Sequence, residues 1–231
     1  MKKISFVIVV LMAIISPTIA DEGKVVSDFV ERTVNEAVEI LNNLDLDAQT
    51  KKDKVSELAH GMFDIPIMAR QVLGSKNGVK FSTVQLQEFT KLFVRQLEAS
   101  YFDKVDIFWE AKFEYETAVK NSKAGAKRLL YKVPSHVYFR DKRYEILYKL
   151  CQVKDGWRVY DVVVEGISVK ESYKMQYNQF LQNSTVGELL AKMREKNMEL
   201  PEELKEKDKA FQETHGTNVV AAKSVEKDKK N

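Results

Sequence analysis

The residues of this chain most able to do chemistry are two acids near the end of one apolar run. Asp161 and Glu165 lie in the stretch DGWRVYDVVVEGIS, residues 155–168, which begins with the turn dipeptide Asp-Gly. The alternation of a strand would place both acids on one face together with Trp157 and Val159. A carboxylate held among apolar side chains could act as a general base, so one hypothesis is a small-molecule enzyme that uses Asp161 in this way.

A structural role for Asp161 is the interpretation that we prefer. A catalytic base needs a partner that stabilises the charge it creates, and the sequence offers no evident one. Buried carboxylates are usually satisfied by hydrogen bonds or by a cation. We therefore predict that Asp161 bonds to backbone or to an arginine at the turn into the last helices. We predict no catalytic residues, so the chain is not expected to be an enzyme.

Other residue types argue against several further classes of function. His60, His136 and His215 do not have the spacing of metal ligands, and the single Cys151 cannot complete a cluster with them. Cys151 lies in an apolar run, which predicts a buried and unreactive thiol. The chain contains no glycine-rich phosphate loop. Its net charge of +3 has no concentrated basic face, so nucleic acid is not an expected partner. We predict no metal and no cofactor.

The N-terminus has the layout of a secretory signal peptide. Lys2 and Lys3 precede an apolar stretch, residues 4–15, and small residues follow up to Ala20. The stretch is too short for a comfortable membrane span. We therefore predict cleavage after Ala20 and export to the periplasm. The domain organisation is then a signal peptide at 1–20, a single domain at 21–200 and a charged, partly disordered tail at 201–231.

The elements that must position these residues fall into three regions. Helical spacing of apolar residues runs from about residue 23 to 104, with a shorter helix predicted at 53–62. Asp64 and Pro66 predict the start of another helix, and Gly74 predicts its end. Capping boxes, each a Ser or Thr followed three residues later by Gln or Glu, predict three more helix starts. These boxes are Ser82/Gln85, Ser168/Glu171 and Thr185/Glu188.

The middle region has the period of strands. Four runs, at 111–120, 127–138, 144–153 and 157–165, are joined by short links and predict an antiparallel meander. Pro134 within the second run predicts a bulge or a sheet edge there. Helices before and after the strands make the fold class α+β.

Two long motifs resemble one known family. FDIPIMARQVLG at 63–74 is followed by Thr83, Gln85 and Phe89, and GWRVYDVVVEGIS at 156–168 is followed by Tyr173, Gln179, Phe180 and Gly187. Both patterns are similar to those of the MlaC family of periplasmic phospholipid carriers, the toluene-tolerance family of the Mla pathway. The resemblance covers about residues 25 to 200. The segment 75–80 departs from it because it lacks a common tryptophan, and the charged tail is longer than expected.

The resemblance implies a fold and a function. The implied fold is a curved antiparallel sheet of four to five strands, wrapped by N- and C-terminal helices around an apolar pocket. The implied function is to bury the acyl tails of a phospholipid. The carrier would exchange this lipid between an outer-membrane lipoprotein–porin complex and an inner-membrane MCE-domain ABC transporter, which maintains the lipid asymmetry of the outer membrane. A monomer is expected, and a carrier of another lipid, such as a hopanoid, remains an alternative.

The expected lipid-binding residues come from the elements that meet at the sheet. They are Phe63, Ile67, Met68, Val72, Phe89, Phe93, Leu97, Tyr101, Leu147, Trp157, Val159, Val163, Ile167 and Tyr173. The sequence does not decide which face of the third and fourth predicted strands lines the pocket. A slip of one residue in register would exchange each side chain for its neighbour. On the last strand the ligand would therefore meet either Trp157/Val159/Val163 or Tyr160/Val162/Val164.

Overall fold

A computed structural model of the chain describes residues 19–101, 111–123, 125–139, 142–195 and 206. In these ranges the first four helices precede the strands and two helices follow them. The helices are α1 (Ile19–Asn42), α2 (Ala48–Met62), α3 (Ile65–Gly78), α4 (Thr83–Tyr101), α5 (Val169–Asn183) and α6 (Val186–Arg194). The strands are β1 (Lys112–Tyr115), β2 (Val119–Lys120), β3 (Leu130–Phe139), β4 (Lys142–Val153), β5 (Gly156–Val164) and β6 (Ile167–Ser168).

The strands form one antiparallel sheet, which confirms the α+β fold class. The strand order is β1-β3-β4-β5-β6, and β2 pairs with β3 beside β1. The first predicted run thus becomes two short strands that share one neighbour. Glu165 and Gly166, with φ of 49° and 80°, form the two-residue turn between β5 and β6. Two positive φ values match the right-handed twist of a hairpin, and glycine adopts the second without strain.

Pro134 does not mark a sheet edge, and the structure shows no bulge at this position. It lies in the middle of β3, paired with Leu147 of β4. On its other side β3 changes partner, because β1 ends at Tyr115 and β2 begins at Val119. The carbonyl of Pro134 still accepts a hydrogen bond from the Glu116 N–H at 2.9 Å. The missing N–H of a proline is tolerated where a ladder is interrupted.

The bulge of the sheet lies in β5 at Tyr160. Lys149 of β4 is opposite Asp161, whereas the next residue of β4, Leu150, is opposite Val159. Tyr160 is therefore an extra residue without a partner in β4. An extra residue reverses which face the following side chains occupy. The sequence left two choices for the side chains on the ligand face, Trp157/Val159/Val163 or Tyr160/Val162/Val164. Because of the bulge, neither set lies on one face along the whole strand.

The helix starts follow the capping signals closely. Ser82 and Gln85 bond reciprocally, with each backbone N–H donating to the other side chain. The Thr185/Glu188 box is also complete. Ser168 caps α5 by accepting from the Glu171 N–H at 3.1 Å. The predicted start of α2 at residue 53 is wrong, since Asp47 caps the helix and it begins at Ala48.

Helices α3, α4, α5 and α6 share one hydrophobic core, here called the helical cluster. Its centre is aromatic: Phe89 meets Tyr177 edge-on with 5.2 Å between ring centroids, and Phe93 meets Tyr173 at 5.5 Å. The Tyr177 hydroxyl donates to Gln96 Oε1 at 2.7 Å, so its burial leaves no phenol unsatisfied. The buried members are Met68, Ala69, Val72, Leu73, Phe89, Leu92, Phe93, Val169, Tyr173, Tyr177, Leu181, Leu189, Leu190 and Met193.

A second core, the sheet cluster, lies between α1 and the sheet. Its buried members are Val26, Val30, Met62, Ala118, Tyr131, Val133, Tyr148, Leu150 and Val159. Helix α1 approaches the link between β1 and β2 closely at Gly23, where a Cβ atom would stand 2.7 Å from the carbonyl oxygen of Ala118. Cys151 is buried in β4, as predicted, and burial raises the pKa of its thiol. Raising that pKa keeps the thiol protonated and unreactive.

Candidate functional site

An apolar cavity lies between α2, α4 and β5. Its volume is about 270 Å³. The lining residues are Ser56, Ala59, His60, Phe63, Ile65, Met68, Val94, Leu97, Glu98, Val162, Val164 and Val169. Met68 and Val169 are buried, whereas His60 is exposed and marks the open end. The cavity therefore runs from solvent into the contact between the helical cluster and the sheet.

One face of α2 forms the first wall. Ala59, His60 and Phe63 lie three, four and seven residues after Ser56, which places all four on one side of a helix. Only Phe63 of these is large and apolar, so the hydrophobic pattern alone does not reveal the face. Phe63 is fixed where α2 ends, because it forms a parallel bridge with Val159 of β5.

The second wall comes from the C-terminal half of α4. Val94, Leu97 and Glu98 line the cavity, again at helical spacing. The stripe that fills the helical cluster, Phe89 and Phe93, lies on a neighbouring side of the same helix. One helix thus serves both a packed core and a cavity wall. The sequence pattern identifies the packed stripe more readily because its residues are larger.

The third wall is the far half of β5. Val162 and Val164 line the cavity. They share a sheet face with Val159, since Leu150 and Tyr148, two residues apart in β4, are opposite Val159 and Val162. The bulge at Tyr160 makes this possible by adding one residue between the two halves of the strand.

Polar groups gather at the open end. The Ser56 hydroxyl donates to Glu98 Oε1 at 2.8 Å, which joins α2 to α4 across the cavity mouth. The ring nitrogen Nδ1 of His60 lies 2.8 Å from the carbonyl oxygen of Ser56. A carbonyl oxygen only accepts, so Nδ1 carries the proton and Nε2 faces away from this bond. An apolar interior with polar groups at the rim suits an amphipathic ligand.

The residues expected to line a lipid pocket divide among several environments. Phe63, Met68 and Leu97 lie on the cavity wall. Val72, Phe89, Phe93 and Tyr173 are buried in the helical cluster, and Ile167 packs against it. Val159 is in the sheet cluster, with Trp157 packed against it. Ile67, Leu147 and Val163 are half-buried in neither cluster. Tyr101 ends α4, but its side chain lies outside the described residues.

Asp161 and Glu165, the two acids considered as catalytic groups, have separate partners. Asp161 is fully buried, and its carboxylate accepts from Lys149 Nζ at 2.8 Å, the Ser168 hydroxyl at 2.8 Å and the Lys170 N–H at 3.2 Å. The backbone contact agrees with the predicted anchor, but the cation is a lysine where an arginine was considered. Glu165 accepts from the N–H of Glu145 in β4. The two carboxylates do not converge on a common substrate position.

A second cavity, of about 510 Å³, opens between α1 and α2. Its lining combines apolar side chains with charged ones of both signs, Glu36, Lys54 and Glu57. Among the described residues, no group of His, Cys, Asp and Glu side chains could hold a metal ion. Within the same ranges, none of the helices has the length and apolar character needed to cross a membrane.

The fold and the first cavity define a class of protein: an α+β domain that encloses an apolar site between its helices and an antiparallel sheet. The family model of the MlaC protein matches residues 31–195, and the chain belongs to this family.

A solved structure of similar fold is the phospholipid-binding protein from Ralstonia solanacearum, described in complex with a phospholipid. Its TM-score is 0.63 at 20% identity, with 74% of this chain and 96% of that chain covered. At this identity the likeness shows the fold. No curated protein matches this chain at a significant level.

Proposed function

We propose that this protein is a periplasmic carrier of phospholipid without catalytic activity. The observation that carries the proposal is the apolar cavity between α2, α4 and β5, which the exposed His60 borders. Membership of the MlaC family and the phospholipid bound by the Ralstonia protein support the choice of ligand. The exchange of this lipid between an outer-membrane lipoprotein–porin complex and an inner-membrane MCE-domain transporter is part of the same proposal.

The energetics of lipid transfer explain why such a cavity is needed. Burial of one methylene contributes about 0.8 kcal/mol, so two acyl tails with roughly thirty methylenes resist exposure to water by about 20 kcal/mol or more. A carrier must replace the bilayer interior closely enough to allow loading. It must not bind the tails so tightly that release becomes slow. A wall that is mostly apolar meets both requirements.

Loading requires the cavity to widen. Its volume of about 270 Å³ equals that of about nine waters at ~30 Å³ each, which accommodates part of one acyl tail. The wall most able to move is α2, because Val55 and Met62 are its buried residues, whereas α5 buries five side chains. Few buried contacts make an element easy to displace. We propose that α2 moves away from β5 when lipid enters.

We propose export by a signal peptide cleaved after Ala20, with the lipid-binding domain at 21–200 and the charged tail at 201–231. Contacts of α1 support this boundary. Glu22 accepts a hydrogen bond from the Tyr131 hydroxyl at 2.8 Å, and Gly23 lies against the backbone of Ala118. A mature chain that begins at Asp21 therefore keeps the contacts of α1 with the sheet. The intact mass of protein isolated from the periplasm tests this, and retention of residues 1–20 would contradict it.

The function is tested by identifying the bound lipid. The full-length protein is expressed, the periplasmic form is purified without detergent, and extracted lipid is analysed by mass spectrometry. We expect phospholipid near one molecule per protein. Absence of phospholipid after purification, together with no loading from vesicles, would contradict the proposal, and a hopanoid in the extract would favour the alternative cargo.

A cavity-filling variant links the lipid to the cavity. Ala59 lines the cavity from α2, so Ala59→Phe would place a ring in the space for the tail. We expect loading to fall severalfold while thermal stability stays unchanged or rises, because cavity filling is commonly stabilising. Ala99→Phe is the matched control, since Ala99 is exposed on α4 and does not line the cavity. Equal loading by the two variants would place the lipid elsewhere.

A further inference from the structure

We propose that Glu98 selects the cargo by its headgroup, favouring phospholipids that carry an ammonium group over those whose headgroup has only negative charge. This inference rests on the proposed function and adds the class of lipid. Of the described residues that line the cavity, Glu98 is the one with a carboxylate side chain. In this proposal the headgroup of a ligand whose tail fills the cavity lies beside this carboxylate, because Glu98 lines the cavity and is only half-buried.

The position of Glu98 follows from α4. Leu97 and Val94, its neighbours on the helix, face the cavity, and Glu98 lies at the same wall one position further along the chain. The side chain is half-buried, so it remains accessible while being partly shielded from water. An interaction with a charge is stronger there than on a fully exposed surface, because the low polarity of the cavity reduces screening.

The hydrogen bonding of Glu98 leaves capacity for a ligand. Ser56 donates to Oε1 at 2.8 Å, which fixes the orientation of the carboxylate across the mouth. A carboxylate offers about four acceptor positions on its two oxygens, so one hydroxyl donor does not saturate it. In the described part of the chain, the ion pairs formed by Arg and Lys side chains do not include Glu98. An ammonium supplies both the missing donors and the opposite charge.

The same geometry disfavours an anionic lipid. A phosphate diester without a cation would bring like charge beside Glu98. A zwitterionic headgroup can instead place its ammonium on the carboxylate and turn its phosphate towards solvent near His60, which is exposed. Selection by repulsion of the wrong ligand is as effective as attraction of the right one.

The test measures competition between two lipids. Lipid-free protein is incubated with vesicles of equal parts phosphatidylethanolamine and phosphatidylglycerol, and the lipid recovered on the protein is counted by mass spectrometry. We expect the wild type to take phosphatidylethanolamine in about twofold to fivefold excess, the ratio that one partly exposed charge contact produces. Glu98→Gln keeps an acceptor for Ser56 and should bring the ratio close to one.

Two further variants sharpen the result. Glu98→Lys should invert the preference towards phosphatidylglycerol. Glu39→Gln makes the same charge change on an exposed part of α1 away from the cavity, and it should keep the wild-type ratio. Equal uptake of both lipids by the wild type, or an unchanged ratio in Glu98→Gln, would overturn the inference and leave the carrier function standing. Uptake of neither lipid by the wild type would overturn both.

Discussion

At the scale of single residues, the buried carboxylate of Asp161 holds the sheet and α5 together. Its carboxylate connects a lysine of β4, the N-cap serine of α5 and a backbone N–H in the first turn of that helix. The positive end of a helix favours a nearby carboxylate, and the lysine supplies an opposite charge. Asp161 therefore determines where α5 begins relative to the sheet.

Removing this carboxylate should destabilise the protein strongly. Asp161→Ala leaves the Lys149 ammonium, the Ser168 hydroxyl and the Lys170 N–H without their shared acceptor. Breaking a buried ion pair costs about 3–5 kcal/mol, and the lower end is expected because the Lys149 side chain is 22% exposed. Urea unfolding followed by circular dichroism measures the loss.

The control for this prediction is Asp53→Ala, an exposed acid of α2, which should change stability by less than about 0.5 kcal/mol. Asp161 does not line the cavity, so the folded fraction of Asp161→Ala should still load lipid. Similar stability of the two variants would show that Asp161 is not an anchor.

At the scale of elements, Gly74 determines the shape of α3. With φ of 66° and ψ of 173°, it interrupts the helix and separates a long first segment from one last turn. This backbone conformation is open almost only to glycine. The break follows Val72 and Leu73, which are fully buried. It lets the chain turn towards α4 without carrying these side chains out of the helical cluster.

Two glycine substitutions should therefore act in opposite directions. Gly74→Ala should destabilise the protein by about 1–3 kcal/mol, because alanine is strained at this φ and ψ. Gly61→Ala in α2 should stabilise it by about 0.5–1 kcal/mol, because a helical alanine loses less backbone entropy. A Cβ at Gly61 meets nothing within 4 Å. Thermal unfolding of both proteins measures the difference, and shifts of the same sign would contradict the argument.

At the scale of the whole molecule, both cores depend on buried tyrosines. Burial raises the pKa of Tyr173 to about 12 in the helical cluster. In the sheet cluster, burial together with the neighbouring Glu22 raises the pKa of Tyr131 to about 12. The phenols of Tyr148 and Tyr177 also have pKa values above the usual range because they are buried. A buried phenol must stay neutral, since ionisation would put a charge in an apolar core.

Alkaline pH should therefore unfold both cores together. The pKa of these phenols is higher in the folded state than the value of 10.0 expected after unfolding. The stability that the neutral phenols contribute to the free energy of unfolding is therefore complete below about pH 10. It is lost as the pH rises towards about 12. We expect the urea midpoint to fall steeply across this interval. Ionisation of the tyrosines near pH 10 with an unchanged near-ultraviolet circular dichroism spectrum would contradict the prediction.

Local signals in the sequence predicted most of the elements and the family. Helix caps, helix breaks and short links between strands depend on interactions within a few residues, so the sequence alone predicts them. The examples here are the caps at Asp64, Ser82 and Thr185 and the break at Gly74. The motif resemblance to the MlaC family is confirmed by the match over residues 31–195. The start of α2 at Asp47 was missed, although an Asp followed by helix-forming residues is a known cap.

Only the tertiary structure decided which apolar residues fill the interior and which line a cavity. Phe89 and Phe93 are large aromatic residues at helical spacing on α4, yet they pack against tyrosines in the helical cluster. The cavity instead uses a weakly apolar face of α2, and Val162 and Val164 reach it through the bulge at Tyr160. Periodicity reports that a side chain is apolar, whereas the distance between elements decides whether space remains beside it. A one-residue bulge changes which face a strand presents while leaving its composition unaltered.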